Sequence, residues 1–292
     1  MIVAEDSLAE VGEGLWQCAK KLTRFSIFTK FSSDYNNNCQ LLTPLHNSFA
    51  LLDVVVVLTT QRVNEALFEN ARQNGTRILL LNNTSKKLIE RLFKANYKKL
   101  NQISRKLADI FSIGKTLHLQ SPSGTDAKIS INRLHGYAEG GMANKAGEFS
   151  TLPAGDASLF LNKNTDGIIK LDRIAGQSNS LSEPISLKVQ KGHVTQIKGG
   201  PEAELLRKEL RKLGASGREI KEFGVGTNNT LKLGYSAQED EKVAGTAHIS
   251  LGQNQSTKVH GKIIPAIKGI ILKPTIRIDN KTIIDQGESL LY

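Results

Sequence analysis

The sequence predicts two regions: an α/β N-terminal domain, residues 1–114, with a parallel sheet and flanking helices, and a β-rich α+β C-terminal domain, residues 115–292. Three observations carry this. Short apolar runs alternate with amphipathic stretches as far as Gly114, the rhythm of strand–helix–strand units. From Lys115 onward, short alternating runs separated by turn residues take over. Finally, 292 residues is long for one core and comfortable for two.

In 4–22, Leu8, Val11, Leu15, Cys18 and Leu22 recur at three- and four-residue spacing, which predicts an amphipathic helix. The Ser- and Asn-rich stretch 31–45 reads as a loop. "LLDVVVVLTT" (51–60) is a buried-strand pattern, followed by a helix from Gln61 to the stop at Asn74-Gly75. "TRILLLNN" is a second apolar strand, Ser85 caps the next helix, and "NYKKLNQISRKLADIFSIG" continues helically to Gly114. "KTLHLQSPSGTDAKISIN" (115–132) is a hairpin signal, two alternating runs around "SPSGTD". Further strands are expected at 157–161, 185–190, 193–198, 246–251 and 269–278, with one helix at 202–213.

Composition removes several function classes. No run approaches the length of a membrane span, and the start "MIVAEDSLAEVGEG" has no basic region followed by an apolar core. A cytoplasmic protein is the expectation. Cys18 and Cys39 form no C-x-x-C pair, so two reduced thiols are expected rather than a disulfide framework. The net charge of +11 concentrates in 86–106 and 207–221, both of helical periodicity with leucines on the other face. Most of it therefore reads as solvated helix surface. With only 5% aromatics, no specific nucleic-acid partner is expected, nor a membrane. H-E-x-x-H, G-x-S-x-G and the phosphate-binding G-x-x-x-x-G-K-[ST] are all missing from the sequence.

Three stretches concentrate chemistry. "GEFSTLPAGDA" (147–157) sets Asp156 directly after a Pro-Ala-Gly turn; "KEFGVGTNNTLKLG" (221–234) sets Glu222 before a glycine pair; "EDEKVAGTAHISLG" (239–252) carries His248. Two carboxylates and an imidazole form an O/N set of the kind that holds hard or borderline divalent metals. Acids before glycine turns are also common at surfaces, so spacing alone does not decide. Among the other histidines, His46, His118 and His193 read as structural or surface positions, while His135 beside a glycine-rich loop is a cleft candidate.

The wording of these blocks, with "SPSGTDAKISI" and "KGIILKPTI" in the same order, resembles the thermophilic metallo-aminopeptidase family over about residues 45–278. Ring-cleaving 2,5-dihydroxypyridine 5,6-dioxygenases share that fold. The resemblance implies a thermophilic metalloprotease-like architecture, a homodimer, and a small molecule or short peptide in a cleft. It further implies a divalent metal (Zn, Co or Fe), held by Asp156, Glu222 and His248 in this chain. The family's remaining ligands form a His-x-Asp pair ahead of the "KGIILKPT" strand. Here Ala266 and Lys268 stand at those two positions. Alanine has no donor atom, and an ammonium in a carboxylate's place repels a cation.

Two readings follow. In one, the chain is a leucyl-aminopeptidase-like member with a degenerate active site, repurposed or non-peptidase and metal-free. Lys268 then pairs with Asp156 or Glu222. The alternative is a metal-dependent amide or peptide hydrolase, or a ring-cleaving dioxygenase, in which His260 supplies a relocated ligand. Glu148 and Glu241 are then the nearest general-base candidates, although each also reads as a carboxylate satisfied by backbone N–H groups. A desolvated Lys268 acting as nucleophile is a third possibility.

Overall fold

The computed structural model describes residues 1–32, 43–61, 63–252, 257–259, 262–264 and 266–291. It divides into two compact units: Met1–Lys98 with Gly141–Ala154, and Lys99–Gly140 with Gly155–Tyr292. The boundary expected at 114/115 therefore falls earlier, and a later insertion returns to the first unit.

The chain opens with strand β1 (Ile2–Glu5), buried throughout, and a single 3₁₀ turn leads into helix α1 (Ala9–Ala19). The helix expected over 4–22 thus gives up its start, because a four-residue strand is too short to show a period. Next come β2 (Phe28–Phe31), α2 (Thr43–Phe49), β3 (Val54–Leu58), α3 (Glu69–Gln73), β4 (Arg77–Leu81) and α4 (Lys86–Leu92). Ser85 caps α4 as the sequence predicts: its hydroxyl accepts the Leu88 N–H at 3.2 Å. Helix α5 (Tyr97–Ile113) follows, with Leu100, Leu107 and Phe111 on its buried face.

The hairpin expected at 115–132 is β5 (Thr116–Gln120) and β6 (Asp126–Ser130), followed by β7 (Gly136–Glu139). Strand β8 (Phe149–Leu152) belongs to the first unit. Then come β9 (Asp156–Phe160), β10 (Thr165–Leu171), β11 (Arg173–Ile174), β12 (Ile185–Gln190) and β13 (His193–Lys198). Helix α6 (Pro201–Lys212) carries Pro at its start, where the missing N–H costs nothing. After it stand β14 (Ile220–Gly226), the one-turn helix α7 (Ala237–Asp240) and β15 (Thr246–Leu251). A short pair, β16 (Thr257–Val259) and β17 (Lys262–Ile264), precedes β18 (Ile267–Leu272), β19 (Thr275–Ile278), β20 (Lys281–Asp285) and β21 (Glu288–Ser289).

In the first unit, a five-stranded sheet runs in the order β2-β1-β3-β4-β8, every pair parallel. That is the flavodoxin-like order of doubly wound folds. Val55, Val57, Ile78 and Leu80 build its core with Phe49 and Phe68. In the second unit, two antiparallel sheets pack on each other: eight strands ordered β13-β12-β10-β6-β5-β19-β20-β21, and six ordered β11-β18-β15-β14-β9-β7. Their shared core takes Leu117, Ile129, Ile169 and Leu187 from the first sheet. From the second it takes Leu159, Phe223, Ile249 and Ile271.

The six-stranded sheet is where residues of the site gather. Alternation along a strand sends successive side chains to opposite faces. Ala157, Leu159, Phe223, Val225, Ala247 and Ile249 point into the core. The intervening residues must therefore line the other face: Asp156 and Ser158 on β9, Glu222 and Gly224 on β14, His248 and Ser250 on β15, Lys268 on β18. No helix among the described residues is long and apolar enough to cross a membrane.

Candidate functional site

Register places these residues side by side. Glu139 pairs with Asp156 and Tyr137 with Ser158. Ser158 is level with Gly224 and Asp156 with Gly226. Gly224 in turn faces His248, and Glu222 faces Ser250. Ser250 is level with Lys268. The result is a polar face in which Asp156, Ser158, Glu222, His248 and Ser250 are all buried. Buried polar groups are costly unless partnered, so the partners matter.

The segment after α7 supplies them. Glu239, Asp240, Glu241 and Lys242 are consecutive charged residues, and all four are buried. Asp240 fixes the segment by accepting the backbone N–H of Gly176 at 2.8 Å and of Gly234 at 2.7 Å. The backbone at Asn228 clasps it too: Asn228 N–H donates to Lys242 O, and Ala244 N–H donates to Asn228 O, both at 2.9 Å. Gly226 lets the segment approach, since a Cβ there would stand 2.1 Å from the Val243 carbonyl oxygen. These contacts hold Glu241 and Lys242 over the sheet.

Lys242 donates to Asp156 at 2.9 Å and to Glu139 at 2.5 Å, with Glu241 at 3.6 Å. Lys268 donates to Glu241 and lies 3.3 Å from Glu222. His248 sits with its Nε2 3.7 Å from Glu222 Oε1, too long for a hydrogen bond. Neither of its ring nitrogens has a hydrogen-bond partner among the described residues, although the residue is 0% exposed. Gly224 makes room for the ring: a Cβ there would stand 2.3 Å from His248 Cε1.

Electrostatics follow from these contacts. Burial lowers the proton affinity of Lys242, but Asp156, Glu139 and Glu241 together hold its pKa well above the ordinary value. Lys268 is likewise raised, by Glu241 and Glu222 against its burial. Burial would raise Glu241, yet the two ammoniums hold it down to about 2. Glu222 is also lowered, the His248 ring and Lys268 outweighing its burial. Asp156 goes the other way: burial, helped by neighbouring Glu139 and Glu241, pushes it up to about 6 against the pull of Lys242.

The structure thus brings together Asp156, Glu222, Glu241, His248 and Lys268 of the sequence-predicted residues. It corrects one expectation and resolves another. Glu241 is not a carboxylate satisfied by backbone N–H groups; it joins the two ammoniums. Lys268 pairs with Glu222, as one of two options foresaw, but the partner of Asp156 is Lys242. Glu148 does not join: it belongs to the first unit, where its carboxylate accepts the N–H groups of Asn144 and Lys145 at 2.6 and 2.9 Å. Ala266 immediately precedes β18, and His260 lies outside the described residues. Sequence reasoning missed Lys242 and Glu139; the available signal was an unbroken run of four charges between a turn and a buried strand.

A divalent cation does not fit this donor set. Metal–oxygen bonds run about 2.0–2.2 Å for zinc, and the oxygens that would make them face ammonium groups instead. Among the described residues, no group of three or more His, Cys, Asp or Glu side chains is placed to hold a metal ion.

At the rim, Tyr137 and Phe160 are exposed and share this face, their ring centroids 4.9 Å apart at 52°. His135 meets the edge of Tyr137, also at 4.9 Å. A cavity lined by Ile103, Leu107, Val225, Thr227, Pro274 and Ile284 carries no titratable group, so it offers shape without chemistry.

Comparison with known proteins gives a consistent result. The family model for 2,5-dihydroxypyridine 5,6-dioxygenase matches residues 26–290. A curated 2,5-dihydroxypyridine 5,6-dioxygenase of Pseudomonas putida KT2440 is 29% identical over 163 residues, 54% of this chain. The match spans 45% of that relative, under half its length. The solved structure of 2,5-dihydroxypyridine dioxygenase from the same organism superposes with a TM-score of 0.77 at 21% identity, covering all of this chain and 91% of the other. Wild-type AmpT from Thermus thermophilus superposes at 0.68 with 11% identity, covering 99% and 94%. At these identities the two structures establish the shared fold. The link to the aminopeptidases is structural, and the family match lies with the dioxygenases.

Proposed function

The chain belongs to the 2,5-dihydroxypyridine 5,6-dioxygenase family, and from that premise we propose that it binds a small hydroxylated ring compound without an oxygen-activating metal. The ligand lies over the polar face of the six-stranded sheet. The observation that carries this reading is the commitment of the buried carboxylates to Lys242 and Lys268. The family name supplies the ligand class. The ring faces of Tyr137 and Phe160 offer stacking surface at the rim, and aromatic pairs of this kind contribute about 0.5–1.5 kcal/mol beyond area. The Ser158 hydroxyl, on the residue level with Tyr137, would hydrogen-bond a ring hydroxyl of the ligand. The buried His248 lies at the base of the face, its Nε2 3.7 Å from Glu222 Oε1.

A test uses purified, dialysed protein of known metal content, titrated with 2,5-dihydroxypyridine and related hydroxypyridines and followed by absorbance and calorimetry. Saturable binding, weakened by Tyr137→Ala and without oxygen uptake, is expected. Failure to bind any hydroxylated ring would overturn the proposal.

A second reading, an iron-dependent ring-cleaving dioxygenase, is favoured by the family match over residues 26–290 and by the buried His248 ring, whose nitrogens make no hydrogen bond among the described residues. An oxygen electrode separates the two. Oxygen consumed in step with loss of the ring, after Fe²⁺ is added, selects the second.

A further inference from the structure

The turn that joins α1 to β2 holds apolar side chains out in water. Leu22 is 88% exposed, Phe25 91% and Ile27 49%. The sequence places Leu22 on the apolar face of a helix over 4–22, but α1 ends at Ala19 and leaves the residue outside the core. The turn is built from defined contacts. Leu22 N–H donates to Ala19 O at 2.9 Å, and Thr23 N–H donates to the same oxygen at 3.0 Å. The half-buried Trp16 donates its indole N–H to Ser26 O at 3.3 Å and stacks on Phe28, with ring centroids 6.1 Å apart. Single exposed hydrophobes are ordinary on a protein surface, whereas a cluster of large ones marks an interaction site.

The same stretch is basic. Residues 14–33 carry Lys20, Lys21, Arg24 and Lys30 and no aspartate or glutamate. All four cations are exposed. Of the acids on α1, Glu10 is held by Lys86 at 2.7 Å, and Glu13 stands about two turns ahead of Lys20. The patch therefore combines apolar side chains with a positive charge that nothing else on the turn offsets.

We infer that this turn docks the protein on an anionic lipid surface. Leu22, Phe25 and Ile27 enter the boundary between headgroups and acyl chains, and the four cations meet the headgroup phosphates. Both halves of the patch suit that occupant, because burial of apolar side chains and attraction of lysine and arginine to anionic lipid add. A second copy of the chain fits less well: a two-fold contact would set the same cations against one another. Such docking lies on the bilayer and needs no spanning helix. It departs from the composition-based expectation of no membrane partner, because periodicity assigns Leu22 to a buried helix face that the fold does not build.

The experiment mixes the intact protein with vesicles of phosphatidylglycerol and phosphatidylcholine in equal parts, and with vesicles of phosphatidylcholine alone. Co-sedimentation measures binding. Emission from Trp16, the chain's single tryptophan and a contact of the turn, reports where binding occurs. Binding to the anionic vesicles alone is expected, with a blue-shifted emission and with weakening as salt screens the charge. Leu22→Ser/Phe25→Ser should abolish it, and Lys21→Gln/Arg24→Gln/Lys30→Gln should weaken it about tenfold or more. These positions are all exposed, so both variants should keep the wild-type thermal midpoint.

No binding to either vesicle, or equal binding to both, would overturn the inference. So would anionic-vesicle binding that survives Leu22→Ser/Phe25→Ser. A wild-type dimer, detected by light scattering and dissociated by that variant, would assign the patch to a second copy and overturn it as well. None of these readouts involves the ring ligand, so the functional reading stands or falls separately.

Discussion

The first unit and the six-stranded sheet of the second bury acids in opposite ways. In the first, Glu5 ends β1 and is buried among hydroxyls: Thr60 donates its N–H and its Oγ1, both at 2.6 Å, Thr59 Oγ1 donates at 3.0 Å and Ser7 Oγ at 3.2 Å. These neutral donors outweigh burial and hold Glu5 below its ordinary pKa. In the second, the buried Asp156, Glu222 and Glu241, with the exposed Glu139 at the edge, meet two ammonium groups. A single buried carboxylate can be met by the local backbone and hydroxyls. Three buried side by side cannot, and the chain brings counter-charge from far away.

The sharpest way to break this contrast is to remove one cation. Lys242→Ala leaves Asp156 and Glu241 short of positive charge, and losing one partner of a buried pair costs about 3–5 kcal/mol. Urea unfolding should show that loss; a change below about 1 kcal/mol would mean water reaches the cluster and screens it. Glu5→Gln in the other unit should cost less, about 1–3 kcal/mol, because its donors are neutral and the amide still accepts some of them.

Titration sharpens the same comparison. Glu241, held down to about 2, contributes stability that is present above pH 4.5 and lost as the pH falls towards 2. Asp156, pushed up to about 6, acts in the opposite sense, so its contribution declines as the pH rises from about 4 to about 6. Denaturant midpoints across that range should therefore flatten in Asp156→Asn. An unchanged slope would show that Asp156 is ionised throughout.

Packing gives an intermediate effect. Gly224→Ala puts a methyl where the His248 ring lies, and overpacking of this kind costs about 1–3 kcal/mol. Its signature should be a displaced imidazole, read from the histidine ring resonances. At the low end, Ser85→Ala removes the cap of α4 for about 1 kcal/mol, a small shift in thermal midpoint with no effect on the charged face.

Much of the fold was legible in the chain itself. The strands expected at 185–190, 193–198 and 246–251 stand at those residues; the first and last have a clear two-residue period, while in 193–198 the apolar Val194 and Ile197 are three apart, across a register shift in the pairing. The run expected at 269–278 is two strands, broken at Lys273-Pro274, where Pro has no N–H to offer a ladder. Strand β1 was hidden by brevity, and the expected unit boundary missed the return of β8 to the parallel sheet, a pairing with no local signature.

The site divides in the same way. Sequence by itself marked the candidate residues: an acid after the Pro-Ala-Gly turn, Glu222 and His248, and, through the family resemblance, a lysine at position 268 where that resemblance implies a carboxylate. Only the tertiary structure decided how their charges are met. Lys242 reaches Asp156 across 86 positions and Glu139 across 103. Periodicity tells which face of a strand a side chain takes, because that depends on its neighbours in the chain. Which charge stands opposite depends on register and on a loop folded over the sheet, and those are set by the packing of the whole unit.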